Sequence, residues 1–163
     1  MNVNELAATL AKLKLTLTAA ESLTGGLFQS ELCACKQAAK IYHGGFITYS
    51  DEAKSKLLGV PAPVLKDSGA VSEEIALAMA KGCRETLQAD LGISFTGVGG
   101  PGAFDGIEPG TVWIGVADCD SGFARMFLFH GGPVEVIGQA VQSGASLLRD
   151  YALDNRDRLT CSK

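Results

Sequence analysis

Residues 16–32, TLTAAESLTGGLFQSEL, decide the fold. The run LTLTAA (15–20) alternates and is short and β-branched, which suits a strand. It stops at Glu21-Ser22, passes through Thr24-Gly25-Gly26 and turns at once into helix-like sequence. A plain strand-to-helix turn needs one glycine and a cap. This one has a serine, a threonine and two adjacent glycines, at the junction where open α/β sheets place their ligands.

Working outward, Asn4 is positioned to cap a first helix through about Lys12, with Leu6, Leu10 and Leu13 on one side. Residues 25–40 read as a helix and GGFITYS (44–50) as a second strand. A short helix follows from Asp51 to Leu58, with Gly59 just past its end as a stop. Pro61 and Pro63 mark PAPVLKDSGAV as a loop. Ser72 caps the next helix, with Glu73 and Glu74 in the first turn where the dipole favours acids, and Ile75, Met79, Cys83 and Leu87 on its buried side. ADLGISFTG is a third strand, running into the glycine-rich stretch 97–110. TVWIGVAD and FARMFLFH flank Asp120-Ser121-Gly122 as a hairpin, and a last helix runs from Pro133 to about Leu153. The polar tail from about 154 reads as frayed. Strands separated by helices imply right-handed crossovers, and the late hairpin adds an antiparallel strand. The expectation is an α/β protein: a three-layer α/β/α sandwich on a mixed, mostly parallel sheet of about five strands, forming a single domain over 1–163.

Composition excludes several functions. At 163 residues with 47% hydrophobic and 20% charged residues, the chain is globular, and its net charge of −4 offers no footprint for nucleic acid or an anionic membrane. The N-terminus lacks the pattern of a signal peptide, and no window approaches the length of a membrane span. The cytoplasm is the expected location. Cys33, Cys35, Cys83, Cys119 and Cys161 are an odd, scattered set, best read as small apolar residues or free thiols. With only His43 and His130 and no CxxC pair, no metal site is expected.

Three segments can carry chemistry, each at the end of an expected strand. In Glu21–Gly26, glycines admit a ligand to the backbone, and Ser22 stands where a nucleophile would be held out of the sheet edge. The plainer reading is that Ser22 or Thr24 caps a helix. In Thr48–Lys54, Tyr49 ends a strand and Lys54 lies near a helix start, where positive surroundings and burial would lower its pKa toward use as a base. Alternatively, Lys54 is solvated and pairs with Asp51. Thr96-Gly97-Val98-Gly99-Gly100-Pro101-Gly102 matches neither a Walker loop nor a dinucleotide fingerprint, and is either a loop wrapped close to a ligand or a flexible surface loop. Without an evident His-Asp pair, a hydrolase here needs Ser-Lys chemistry, with or without a tyrosine relay, and Ser22, Tyr49 and Lys54 fit it.

AAESLTGG (19–26), GGFITYSDEAKSKLLGV (44–60), GAVSEE (69–74), TGVGGPG (96–102) and PGTVWIGVA (109–117), in this order, resemble the CinA C-terminal domain family, which includes stand-alone nicotinamide-nucleotide amidohydrolases. The resemblance implies hydrolysis of the carboxamide of nicotinamide mononucleotide to nicotinic acid mononucleotide and ammonia, without metal or other cofactor. It implies Ser22 as nucleophile, Lys54 taking its proton through Tyr49, a site lined by Thr24, Gly25 and Gly26, and Thr96, Gly97, Gly99 and Gly100 holding a small-molecule nucleotide. A homodimer or other homo-oligomer is also expected. The family pattern has cysteine at Leu23, and two arginines before the last helix where GGPVEVIGQA carries Pro133 and Ile137. Without a charge-assisted hydrogen bond there, a phosphate is held about 1.5–3 kcal/mol less tightly. Two alternatives follow: a degenerate small-molecule-binding or regulatory paralogue, or a hydrolase of a different, unphosphorylated amide.

Overall fold

β1 (Leu17–Glu21) is buried along its whole length, and that burial places it inside the sheet rather than at its edge. In the computed structural model, which describes residues 2–161, it lies between β2 (Tyr42–Ile47) and β3 (Leu91–Gly97), both parallel to it. β4 (Thr111–Ala117) pairs antiparallel with β3, and β5 (Gly122–Leu128) antiparallel with β4. The sheet order is β2-β1-β3-β4-β5, so β4 alone runs against the other four strands. This is the expected mixed sheet.

One face is covered by α1 (Val3–Leu13), α2 (Leu27–Cys33) and α7 (Pro133–Asp154), whose Leu6, Leu10, Phe28 and Leu148 bury against Leu17, Ile93 and Phe95. The opposite face carries α4 (Asp51–Leu58), α5 (Ala62–Ser68) and α6 (Glu73–Leu87) around Leu58, Leu65, Ile75 and Met79. The backbone of α6 lies almost on the strands. A Cβ on Gly115 would stand 2.3 Å from the Ala76 carbonyl oxygen, and one on Gly92 would stand 2.2 Å from that of Ala80.

Ser50 and Ser72 cap α4 and α6 as their positions predict, and Gly59 ends α4 in the left-handed conformation. Other details differ from the sequence-based expectation. Asn2, rather than Asn4, caps α1 by accepting from the Glu5 amide. The helix expected over 25–40 is split: it starts at Leu27, breaks after Cys33, and resumes as the short α3 (Ala38–Ile41). The Cys35 amide bonds back to Leu32 at 3.0 Å, a tight turn that lets Cys35 and Ile41 face the core. Within the expected loop, Pro61 and Pro63 do not break structure but open α5, where a missing N–H costs nothing.

The tail is also not frayed where it is described. Arg156–Cys161 form α8, which buries Leu159 and sends the Arg158 guanidinium to Asp118, 2.6 Å from Oδ2. Burial pushes the Asp118 carboxyl up, but Arg158, Tyr151 and the amides of Asp120 and Ser121 outweigh it and hold it well below the usual range. Ser162 and Lys163 lie outside the described residues, as does the side chain of Cys161; Cys33, Cys35, Cys83 and Cys119 are free thiols. Among the described residues, no helix is long and apolar enough to cross a membrane.

Because Gly115 has no room for a Cβ, Gly115→Ala forces α6 off the sheet. A loss of about 1–3 kcal/mol is expected, read as a drop of about 3–10 °C in Tm by calorimetry.

Candidate active site

Three segments leave the carboxyl ends of three adjacent parallel strands: Ser22 after β1, Thr48-Tyr49 after β2, and the glycine-rich loop after β3. The chain crosses from β1 to β2 on one face and from β2 to β3 on the other, so a crevice opens at the switch beside β1. It is a cleft of about 640 Å³ lined by residues of all three segments, among them Ser22, Tyr49, Lys54, Thr96, Gly97, Gly99 and Gly100.

Ser22 is held by the sheet: its amide donates to the Phe95 carbonyl at 2.9 Å. Beside it, the Thr48 amide donates to the Glu21 carbonyl at 2.8 Å, continuing the β1–β2 ladder one residue past its end. The Ser50 cap starts α4 immediately afterwards, so its fourth residue, Lys54, points back over the strand ends. Lys54 is 1% exposed. Its Nζ lies 3.3 Å from Ser22 Oγ, 3.0 Å from the Thr48 carbonyl oxygen and 3.2 Å from that of Tyr49. Burial lowers its pKa from the ordinary 10.5, while Asp51 pulls the other way. The solvated, Asp51-paired lysine is therefore not what the chain builds.

Tyr49 enters through its main chain. Its carbonyl accepts from Lys54, whereas its side chain is 77% exposed and lines the cleft. Lys54 meets Ser22 directly, with no gap for the Tyr49 hydroxyl to bridge. Thr96 lines the cleft, and its hydroxyl donates to the Ala70 carbonyl at 2.6 Å, tying down the segment before α6.

Thr24, Gly25 and Gly26 fall elsewhere. They are absent from the cleft lining, because the start of α2 is already occupied by the chain's own anion. The fully buried Glu21 carboxylate accepts the amides of Gly26 (3.0 Å), Phe28 (3.2 Å) and Gln29 (2.9 Å). It meets the demand of the helix N-terminus for negative charge in place of an external ligand. Gly25 and Gly26, with φ of 59° and 102°, make the turn that folds α2 back over Glu21. Thr24 is buried, its hydroxyl without a partner among the described residues. The sequence alone assigns Glu21 no task. The available signal is an acid shortly before a helix that has no capping side chain and no acid in its first turn.

His43 and His130 are exposed, away from the cleft. Among the described residues, the grouping with the ligand atoms a metal ion would need is Asp118, Cys119 and Asp120, at the other end of the strands, where β4 ends beside the start of β3. There the Asp118 carboxylate is already taken by Arg158 and Tyr151.

Losing the Glu21 charge leaves α2 amides facing a poor acceptor. Glu21→Gln is expected to lower stability by about 1.5–3 kcal/mol, measured as a reduced urea midpoint at unchanged slope.

The model of the CinA C-terminal domain matches residues 2–152. A competence-damage inducible protein from Lactiplantibacillus plantarum is 45% identical over 145 residues, covering 88% of this chain and 34% of that protein. One from Listeria welshimeri is 46% identical over 150 residues, covering 91% and 36%. The chain thus spans about a third of the length of these relatives. Among solved structures, a competence-damaged protein (CinA) superfamily protein from Escherichia coli is 38% identical, with a TM-score of 0.85 and 91% and 90% of the two chains covered. A competence or damage-inducible protein from Enterobacter asburiae is 36% identical, with a TM-score of 0.88 over 93% and 98%.

Proposed function

The chain belongs to the CinA C-terminal domain family, and on that premise we propose that it is an amidohydrolase that deamidates nicotinamide mononucleotide with Ser22 as nucleophile and Lys54 as its base. The observation that carries this reading is the buried Lys54 amine 3.3 Å from Ser22 Oγ. A neutral amine has two hydrogens and one lone pair. With the hydrogens given to the carbonyls of Thr48 and Tyr49, the lone pair is left facing the Ser22 hydroxyl.

Ser22 Oγ attacks the carboxamide carbon as its proton passes to Lys54 Nζ. The carbonyl oxygen becomes an oxyanion, for which the Leu23 amide, directly after the nucleophile and without a partner among the described residues, is a donor. Lys54 returns the proton to the amide nitrogen, the C–N bond breaks and ammonia leaves. Water, deprotonated by the same amine, then attacks the Ser22 ester; the acyl C–O bond breaks, Lys54 returns the proton to Ser22 Oγ, and the product leaves as the acid, which ionises to the carboxylate. These steps draw on serine, lysine and backbone amides alone. Tyr49 contributes its carbonyl, which orients the base.

Hydrolysis of an unphosphorylated amide is the second reading, favoured by Pro133 and Ile137 in the cleft wall. A homo-oligomer has support in the unpaired edge of β5, where Met126 and Leu128 are exposed.

Ammonia release from nicotinamide mononucleotide tests the reaction. Ser22→Ala and Lys54→Arg, both folded by circular dichroism, are each expected to lose about a thousandfold or more in kcat. The arginine fails because a guanidinium stays protonated. Release that survives either change would refute the assigned roles. Since burial lowers the Lys54 pKa, its neutral, basic form gains population as pH rises. The logarithm of kcat/KM should therefore climb with unit slope and level off at an inflection below 10.5, absent from residual Lys54→Ala activity.

A further inference from the structure

Taking the Ser22 proton turns Lys54 into an ammonium ion inside a buried cage, and a buried cation calls for a counter-charge as well as acceptors. The Thr48 and Tyr49 carbonyls supply dipoles but no charge. Asp51 is the one carboxylate in the cleft lining among the described residues. It opens α4 three residues before Lys54, a spacing that makes two side chains neighbours on the same side of a helix. It is exposed at the rim and is not among the acceptors of the amine, so its charge acts through space.

The other ionisable groups near the amine are otherwise engaged. β1 brings Glu21, whose carboxylate is spent on the α2 amides, and the end of β2 brings Tyr49, whose ring is exposed. The core between α4 and α6 holds one titratable side chain, the Cys83 thiol, which burial pushes up to about 12. No charged residue of α5, α6, α7 or the glycine-rich loop lines the cleft. Burial lowers the pKa of Lys54 and Asp51 raises it, burial having the larger effect. The placement suits that balance: an acid in contact would hold the proton, whereas one at the wet rim favours the ammonium and leaves the neutral form accessible. Acids gather at helix starts for the dipole alone, and Glu52 is that ordinary case. It shares the first turn of α4, lies outside the cleft lining and pairs with Lys56 at 2.6 Å.

We propose that Asp51 is a positioning residue for the Ser22–Lys54 pair, its carboxylate stabilising from the rim the ammonium that Lys54 becomes when it takes the Ser22 proton. The aspartate of a Ser-His-Asp triad does the same for its imidazolium, by direct contact. The part played in catalysis rests on the amidohydrolase reading; the coupling of Asp51 to the amine does not.

Two readouts separate these. In the full chain, with lysine isotopically labelled at Cε, the NMR signal of Lys54 is identified by its loss in Lys54→Arg and titrated against pH. Asp51→Asn is expected to move its midpoint to lower pH and Asp51→Glu to restore it. Glu52→Gln, which removes the same charge from the same turn, should leave it in place. The shift should shrink at about 1 M salt, where the Debye length is about 3 Å. The second readout is ammonia release from nicotinamide mononucleotide. On the rising limb of the pH profile Asp51→Asn should be faster than the unmutated protein, because more of the amine is neutral there. On the plateau it should be about two- to fivefold slower, because the ammonium is less stable. A merely structural defect lowers both limbs alike. An unmoved Lys54 midpoint, an equal shift in Glu52→Gln, or profiles that do not cross would overturn the proposal, and continued ammonia release would then leave the amidohydrolase reading intact. Midpoints that shift as expected in a protein that releases no ammonia would sink the reaction and establish the coupling alone.

Discussion

An amine can be sunk into a protein interior only if something replaces the water its hydrogens lose. For Lys54 the replacement comes from the ends of two strands: the Thr48 and Tyr49 carbonyls beyond β2 and the Ser22 hydroxyl beyond β1. That requirement constrains much of the structure. β1 and β2 must pair with Glu21 opposite Ile47, or Ser22 and Thr48 would not come side by side. α4 must begin at Asp51, or its fourth residue would point elsewhere, and the Ser50 cap sets that start. The apolar packing of Leu58, Ile75 and Met79 then keeps water from competing for the same acceptors.

A second buried charge sits next door with the opposite sign and a different duty. Glu21 is separated from Ser22 by one peptide bond, yet its carboxylate turns away from the cleft into three amides of the α2 segment. Each ion is thus neutralised locally, Lys54 by carbonyl dipoles and Glu21 by amide dipoles. The two do not form an ion pair, so the amine keeps the lowered pKa that burial confers. Were Glu21 turned toward Lys54, Coulomb attraction would favour the protonated amine and weaken it as a base.

The sequence showed the succession of strands and helices by its periodicities and its glycine punctuation, and both halves of the Ser22–Lys54 pair were legible because Ser22 lies just past one strand-like run and Lys54 in the helix that follows another. Lys54 stood out through an unfavourable position: a cation near a helix start needs a reason. What could not be read was the direction in which side chains and carbonyls point. Tyr49 looks like a hydroxyl relay in the sequence, whereas it is its backbone carbonyl that accepts from Lys54. Gly25 and Gly26 look like a cradle for an anion, and the anion turns out to be Glu21, five residues before Gly26. α8 escaped because its charged residues find their partners in tertiary structure: Arg158 pairs with Asp118, forty residues away. The small turn closed by Phe104 and Ile107 went unread for a different reason: its Asp105-Gly106 signal lies inside a glycine-rich stretch that reads as loop.

The placement of β1 between β2 and β3 also bears on when the site comes into being. β1 is paired on one side with a strand some twenty-five residues later, Leu17 opposite Tyr42, and on the other with one more than seventy residues later, Leu17 opposite Leu91. Pairings of such long separation form late, because the intervening chain must lose its freedom first. As the chain emerges from a ribosome, Ser22 and Lys54 are both made well before β3 exists to bury them. Until then the lysine is hydrated and protonated, and the serine is an ordinary alcohol. The lowered pKa of Lys54 therefore arrives with the completed sheet, and a half-made or unfolded copy lacks it.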